Sequence, residues 1–160
     1  MILCAPLRED ILDPSADDIR ELLNQDDNFW DQGCGCASLS TCPIEDSEEV
    51  LIFYRNSGFG YVVLQYKDFK NYALYNEKKD KNTVIAHCIS GEPFPVPHCF
   101  YVDYTQAESI LLHYLRTSSI LNYEQWRNIS EIFNYKAYYN SDEYYNGIKV
   151  FNILGKFNNC

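Results

Sequence analysis

At 160 residues the chain is long enough to bury one core as a single domain, and its apolar fraction of 46% is ordinary for a globular protein. The net charge of −10 belongs entirely to residues 1–60, which hold 13 acids against three bases, while residues 61–160 hold ten of each. Such a field argues against a nucleic-acid partner and for a basic protein, and no apolar run reaches membrane-spanning length.

Asp13-Pro14-Ser15-Ala16-Asp17-Asp18 opens the first helix, with Ser15 as cap and Asp18 at the third position. Ile19, Leu22 and Leu23 form its apolar stripe, and it should end near Asn24–Asp27. A strand-rich middle follows. Glu49–Arg55 is broken from Tyr61–Tyr66 by the turn Asn56-Ser57-Gly58, and Tyr72–Tyr75 and Thr83–Ser90 continue the pattern. Gly91-Glu92-Pro93 turns the chain into a strand expected over Pro97–Tyr104. Thr105 and Glu108 make a capping box for a helix that buries Ala107, Ile110, Leu111, Tyr114 and Leu115. Asn122–Gln125 starts a further helix, with Trp126, Ile129 and Phe133 on one face. Asn134–Cys160 is a tyrosine- and asparagine-rich extension with one strand-like run, Ile148–Leu154. The order predicts an α+β fold, a largely antiparallel meander packed against two or three helices.

Seven cysteines, an odd number without repeat spacing, suit free thiols in a reducing cytoplasm, and the acidic start MILCAPLREDILDPS lacks the pattern of a secretory leader. Three of them crowd into Gly33–Cys42, GCGCASLSTC. Read as a strand, this segment puts Cys34, Cys36 and Cys42 on one face but holds the outer two about 26 Å apart, at about 3.3 Å per residue. One zinc ion needs its sulfurs about 2.3 Å away, so the strand reading excludes a three-cysteine site that only a tight loop could restore; no metal and no cofactor is expected. His87-Cys88 and His98-Cys99 form a second suggestive set: pairing through the Gly91 turn would bring one histidine near one cysteine, although core cysteine and edge histidine is the reading the residue types favour. The alternative to a binding protein is therefore a thiol or zinc enzyme using Cys34 and Cys36 with His87 or His98. Asp26/Asp27 and Glu48/Glu49 are sequence neighbours whose side chains diverge in helix or strand, so neither makes an acid–base couple.

Three segments carry a family resemblance. They are Asp13-Pro14-Ser15 with Ile19 and Leu22-Leu23, the hairpin Gly58-Phe59-Gly60-Tyr61-Val62-Val63-Leu64-Gln65-Tyr66, and Phe100-Tyr101-Val102-Asp103 leading to Ala107, Leu111, Tyr114-Leu115 and then Trp126. In this order they resemble the Imm-one type of immunity proteins of bacterial polymorphic toxin systems, over residues 10–130. Thr117-Ser118-Ser119 replaces the family's glycine after the third-segment helix, and the tail beyond Trp126 is long. The resemblance implies a cytoplasmic α+β protein without catalysis of its own, which binds and blocks a cognate toxin, often a deaminase or nuclease, and keeps Trp126 for packing. An acidic inhibitor is steered to a basic active-site face, and tyrosine or tryptophan beside acids anchors it. The candidate binding residues are Asp26, Asp27, Trp30 and Asp31, then Glu45, Asp46, Glu48 and Glu49, then Asp142, Glu143, Tyr144 and Tyr145. An acidic adaptor for an unrelated basic protein shares the same surface logic.

Overall fold

The computed structural model describes residues 1–130 apart from Ser57 and Asn82, together with the backbone of residues 151–152. Its strands are β1 (Ile2–Cys4), β2 (Ile11–Leu12), β3 (Ala37–Ser40), β4 (Glu49–Asn56), β5 (Gly60–Lys67), β6 (Lys70–Leu74), β7 (Thr83–Ile89), β8 (Glu92–Pro97), β9 (Trp126–Asn128) and β10 (Phe151–Asn152). The helices are α1 (Ala16–Leu23), α2 (Asp27–Trp30) and α3 (Tyr104–Thr117). Seven strands form one antiparallel sheet in the order β2-β1-β3-β4-β5-β6-β9, and three form a second, β10-β7-β8. The fold is α+β, as the element order predicts.

Register decides what each face carries, because residues paired across an antiparallel ladder share a side. Leu39, Leu51, Phe53, Val63 and Tyr61 fall on one face of the large sheet. The helices cover it. Tyr61 donates to Leu23 O at 2.6 Å, Arg55 donates to Gln25 O at 2.9 Å, and Trp30 lies 6.1 Å from Phe53 ring to ring. On the other face, Tyr54 stacks on His87 of β7, so the small sheet closes that side. One apolar cluster joins both sheets and the helices.

Local chemistry explains the element ends. Ser15 caps α1 as expected: Asp18 N donates to its hydroxyl at 3.2 Å, and Ser15 N donates to the Asp18 carboxylate at 2.7 Å. The cap of α3 differs from expectation. Asp103 and Gln106 form the capping box, not Thr105 and Glu108. Glu108 is occupied elsewhere, accepting from Arg20 of α1 at 2.6 Å, and starting the helix at Tyr104 lays that ring against Tyr61. Two further expectations are corrected. The strand placed at Pro97–Tyr104 lies at Glu92–Pro97 instead. Pro93, Pro95 and Pro97 alternate, so their nitrogens, which cannot donate, point the same way at the sheet's edge. The helix expected from Asn122 is a single 3-10 turn, Tyr123–Gln125, followed by β9, because the edge of β6 is open there and takes Trp126–Asn128 as a strand. Trp126 is buried and its indole donates to Leu121 O at 2.9 Å. Within the run Ile148–Leu154, residues Phe151–Asn152 are strand and the rest lies outside the described residues.

Candidate functional site

The cysteine-rich segment is a tight loop before it is a strand. Gly33 and Gly35 both have positive φ, and only Ala37–Ser40 is extended. The loop is pinned to β7: Ser90 N donates to Cys34 O at 2.8 Å, and His87 Nε2 lies 2.6 Å from Gly35 O. Gly35 sits so close to β7 that a Cβ there would stand 2.0 Å from Cys88 O. The loop thus brings Cys34 next to Cys36, whose carbonyl accepts from the Cys34 thiol at 2.9 Å. Cys42 lies beyond the far end of β3, against the Ser47 hydroxyl at 3.2 Å. Among the described residues, no three His, Cys, Asp or Glu side chains are arranged to hold a metal ion.

The histidines serve the packing of rings. His87 lies flat on Tyr54, and burial pushes its pKa below the ordinary value, against the opposing pull of Gly35 O and Asp31. His98 stands in the 3-10 turn His98–Phe100, edge-on to Phe59 at 5.6 Å. The strands do pair through the Gly91 turn, but their register keeps the two His-Cys pairs apart. His87 pairs with Phe94, whereas Pro97, just before His98, pairs with Val84, about 10 Å further along β7. Burial, and then the neighbouring Cys34, raises the Cys36 thiol to about 12, which disfavours the thiolate that a nucleophile needs.

The acidic candidates fall into two groups at opposite ends of β4. Asp26, Asp27 and Asp31 belong to α2 and its flanks. Asp26 caps that helix, accepting from Phe29 N at 3.0 Å, and Asp27 pairs with Arg55 at 3.3 Å. Glu45 and Asp46 form the 3-10 turn Ile44–Asp46, Glu48 follows exposed, and Glu49 pairs with Lys67 at 2.9 Å. From Glu49 to Arg55 is six residues of strand, about 20 Å, so the groups make two patches rather than one. Both ion pairs are partly exposed and contribute under about 1 kcal/mol each. Trp30 is corrected as an anchor: it is 0% exposed, edge-on to Phe29 at 5.4 Å and packed on Phe53. Asp142, Glu143, Tyr144 and Tyr145 lie outside the described residues.

Sequence reasoning missed the apolar residues beside the second patch. β5 and β6 are joined by the two-residue turn Asp68-Phe69, and Phe69 is 91% exposed. Ile44, in the turn with Glu45 and Asp46, is 47% exposed, and Tyr123, within electrostatic reach of Lys67, is 63% exposed. The register Glu49↔Lys67 sets the Ile44–Glu48 segment and the Asp68-Phe69 turn at one end of the sheet. The signal was there to read: Lys67-Asp68-Phe69-Lys70 places an aromatic between charges in a gap between strands, where a loop residue should be polar.

An α+β scaffold therefore carries an acidic end studded with exposed apolar side chains. Among the described residues, no helix is long and apolar enough to cross a membrane. No protein-family model, no curated protein and no solved structure matches this chain.

Proposed function

We propose that this chain is a cytoplasmic immunity protein that binds a cognate bacterial toxin, a deaminase or nuclease effector, and neutralises it by occluding a basic active-site face. The observation that carries the reading is the end of the sheet at Glu45, Asp46 and Glu48. These three carboxylates make no ion pair with a described residue and share one end of the sheet with exposed Ile44 and Phe69. Charge there steers a basic partner, while apolar side chains supply the close contact that holds it.

The experiment is co-expression with the product of the adjacent open reading frame. The wild-type chain restores growth, and the charge reversal E45K/D46K/E48K weakens that protection, whereas D31K at the other end of β4 leaves it intact. Failure of the wild-type chain to protect against that product contradicts the reading.

A further inference from the structure

The β5–β6 and β7–β8 hairpins use the same turn. Each has two central residues between a pair of facing strand residues, Lys67↔Lys70 in one and Ile89↔Glu92 in the other. Both central residues have positive φ in each: +51° and +59° at Asp68 and Phe69, +52° and +82° at Ser90 and Gly91. That is the signature of a type I′ turn, which favours Asn or Asp followed by Gly. Ser90-Gly91 follows the rule at its second position. Asp68-Phe69 breaks it with a large aromatic in the left-handed region, where a side chain is disfavoured.

Folding gains nothing visible from the exception. Phe69 makes no ring or cation contact with a described residue and is 91% exposed. An apolar ring exposed at a strained turn position is free to meet something outside the folded chain. Its surroundings state the chemistry of the occupant. Glu45, Asp46, Glu48 and Asp68 outnumber Lys67 and Lys70, and Glu49 already engages Lys67. Exposed Ile44 supplies a second apolar contact at the same end.

We infer that Phe69 is the central anchor of the protein-binding surface, inserting its ring into an apolar socket rimmed by Lys or Arg on the toxin. This inference rests on the immunity reading and names the residue on which binding turns. An aromatic ring displayed on a rigid two-residue turn loses little freedom when it docks, so it has the properties of a binding hot spot. The acids at the same end of the sheet favour a basic rim and repel an acidic competitor.

The test uses full-length Phe69→Gly, Phe69→Tyr and wild type against the purified product of the adjacent reading frame. Phe69→Gly gives the turn its preferred residue, so its melting temperature equals or exceeds that of wild type. Its affinity for that product falls at least tenfold, while Phe69→Tyr stays close to wild type. Wild type and Phe69→Gly binding equally well would overturn the anchor and leave the immunity reading standing. No binding by wild type would overturn both. Sedimentation of the chain alone separates the remaining occupant: self-association that Phe69→Gly abolishes would make the socket a second copy of this chain, and the inferred basic partner would be wrong.

Discussion

His87 lies on Tyr54 with ring centroids 4.4 Å apart and planes 6° from parallel, while its Nε2 stands 2.6 Å from Gly35 O. One imidazole thereby ties the small sheet to the large one and to the cysteine-rich loop. Burial lowers its pKa in the folded state, so the unfolded chain takes up a proton near pH 6.5 that the native state refuses. His98 acts in the same direction, through burial and then Lys79. This contribution to stability is fully present above about pH 6.5 and is lost as pH falls through the lowered folded values. Urea midpoints should fall between about pH 7 and pH 5.5, and H87Q should flatten that slope whatever it does to the midpoint at neutral pH. A variant with the full wild-type slope would assign the effect elsewhere.

Gly35→Ala meets two obstacles, a φ of +72° and a carbonyl 2.0 Å from the new methyl. Gly91→Ala meets only the first, since no atom lies within 4 Å of its Cβ position. The first substitution should cost at least about 2 kcal/mol and the second about 1 kcal/mol. Denaturant unfolding of both variants checks the difference, and equal losses would mean that the loop yields freely from β7.

Thiol reactivity should follow packing. Burial lifts Cys36 to about 12, and burial followed by Asp10 lifts Cys4 to about 11, whereas Cys34 and Cys88 are exposed. Brief alkylation of the native protein at about pH 8, read by peptide mass spectrometry, should label Cys34 and Cys88 well ahead of Cys4 and Cys36. Fastest labelling at Cys36 would revive the thiol-enzyme alternative.

Trp30→Ala should behave as a core truncation, costing about 3–5 kcal/mol. At a temperature where the variant remains folded, its affinity for a partner should match wild type. A stable Trp30→Ala that no longer binds would restore the tryptophan as an anchor.

Periodicity and capping residues made most of the scaffold legible. EVLIFYR, YVVLQY and TVIAHCIS read as strands because their apolar residues alternate or run continuously with turn residues at both ends. Ser15 and Asp18 fixed the start of α1 within a residue. Features set by long-range contact were not legible. Asp103-x-x-Gln106 and Thr105-x-x-Glu108 are equivalent as local signals, and Arg20, 88 residues from Glu108, selects between them. Trp126 joins a strand because the open edge of β6 is waiting, which no local pattern records. Of the candidate surface, the acids were visible as composition, but their separation along β4 was not. Trp30 beside Asp31 looked like an anchor, yet helix α2 turns it onto Phe53. Phe69 is legible only as an aromatic out of place between charges in a gap between strands; it carries no periodicity, and its exposure follows from a turn whose φ values only the structure gives.

The most direct test of the account is the equilibrium affinity of the purified chain for the product of the adjacent reading frame, measured at low and high salt with wild type and E45K/D46K/E48K. The account predicts a Kd in the nanomolar range or tighter for wild type, on the order of −12 kcal/mol, weakening as salt slows association. It predicts a clear loss for the charge reversal together with a shallower salt dependence. Tight wild-type binding that ignores both salt and the reversal would contradict the acidic end as the docking surface, and absence of wild-type binding would contradict the immunity function itself.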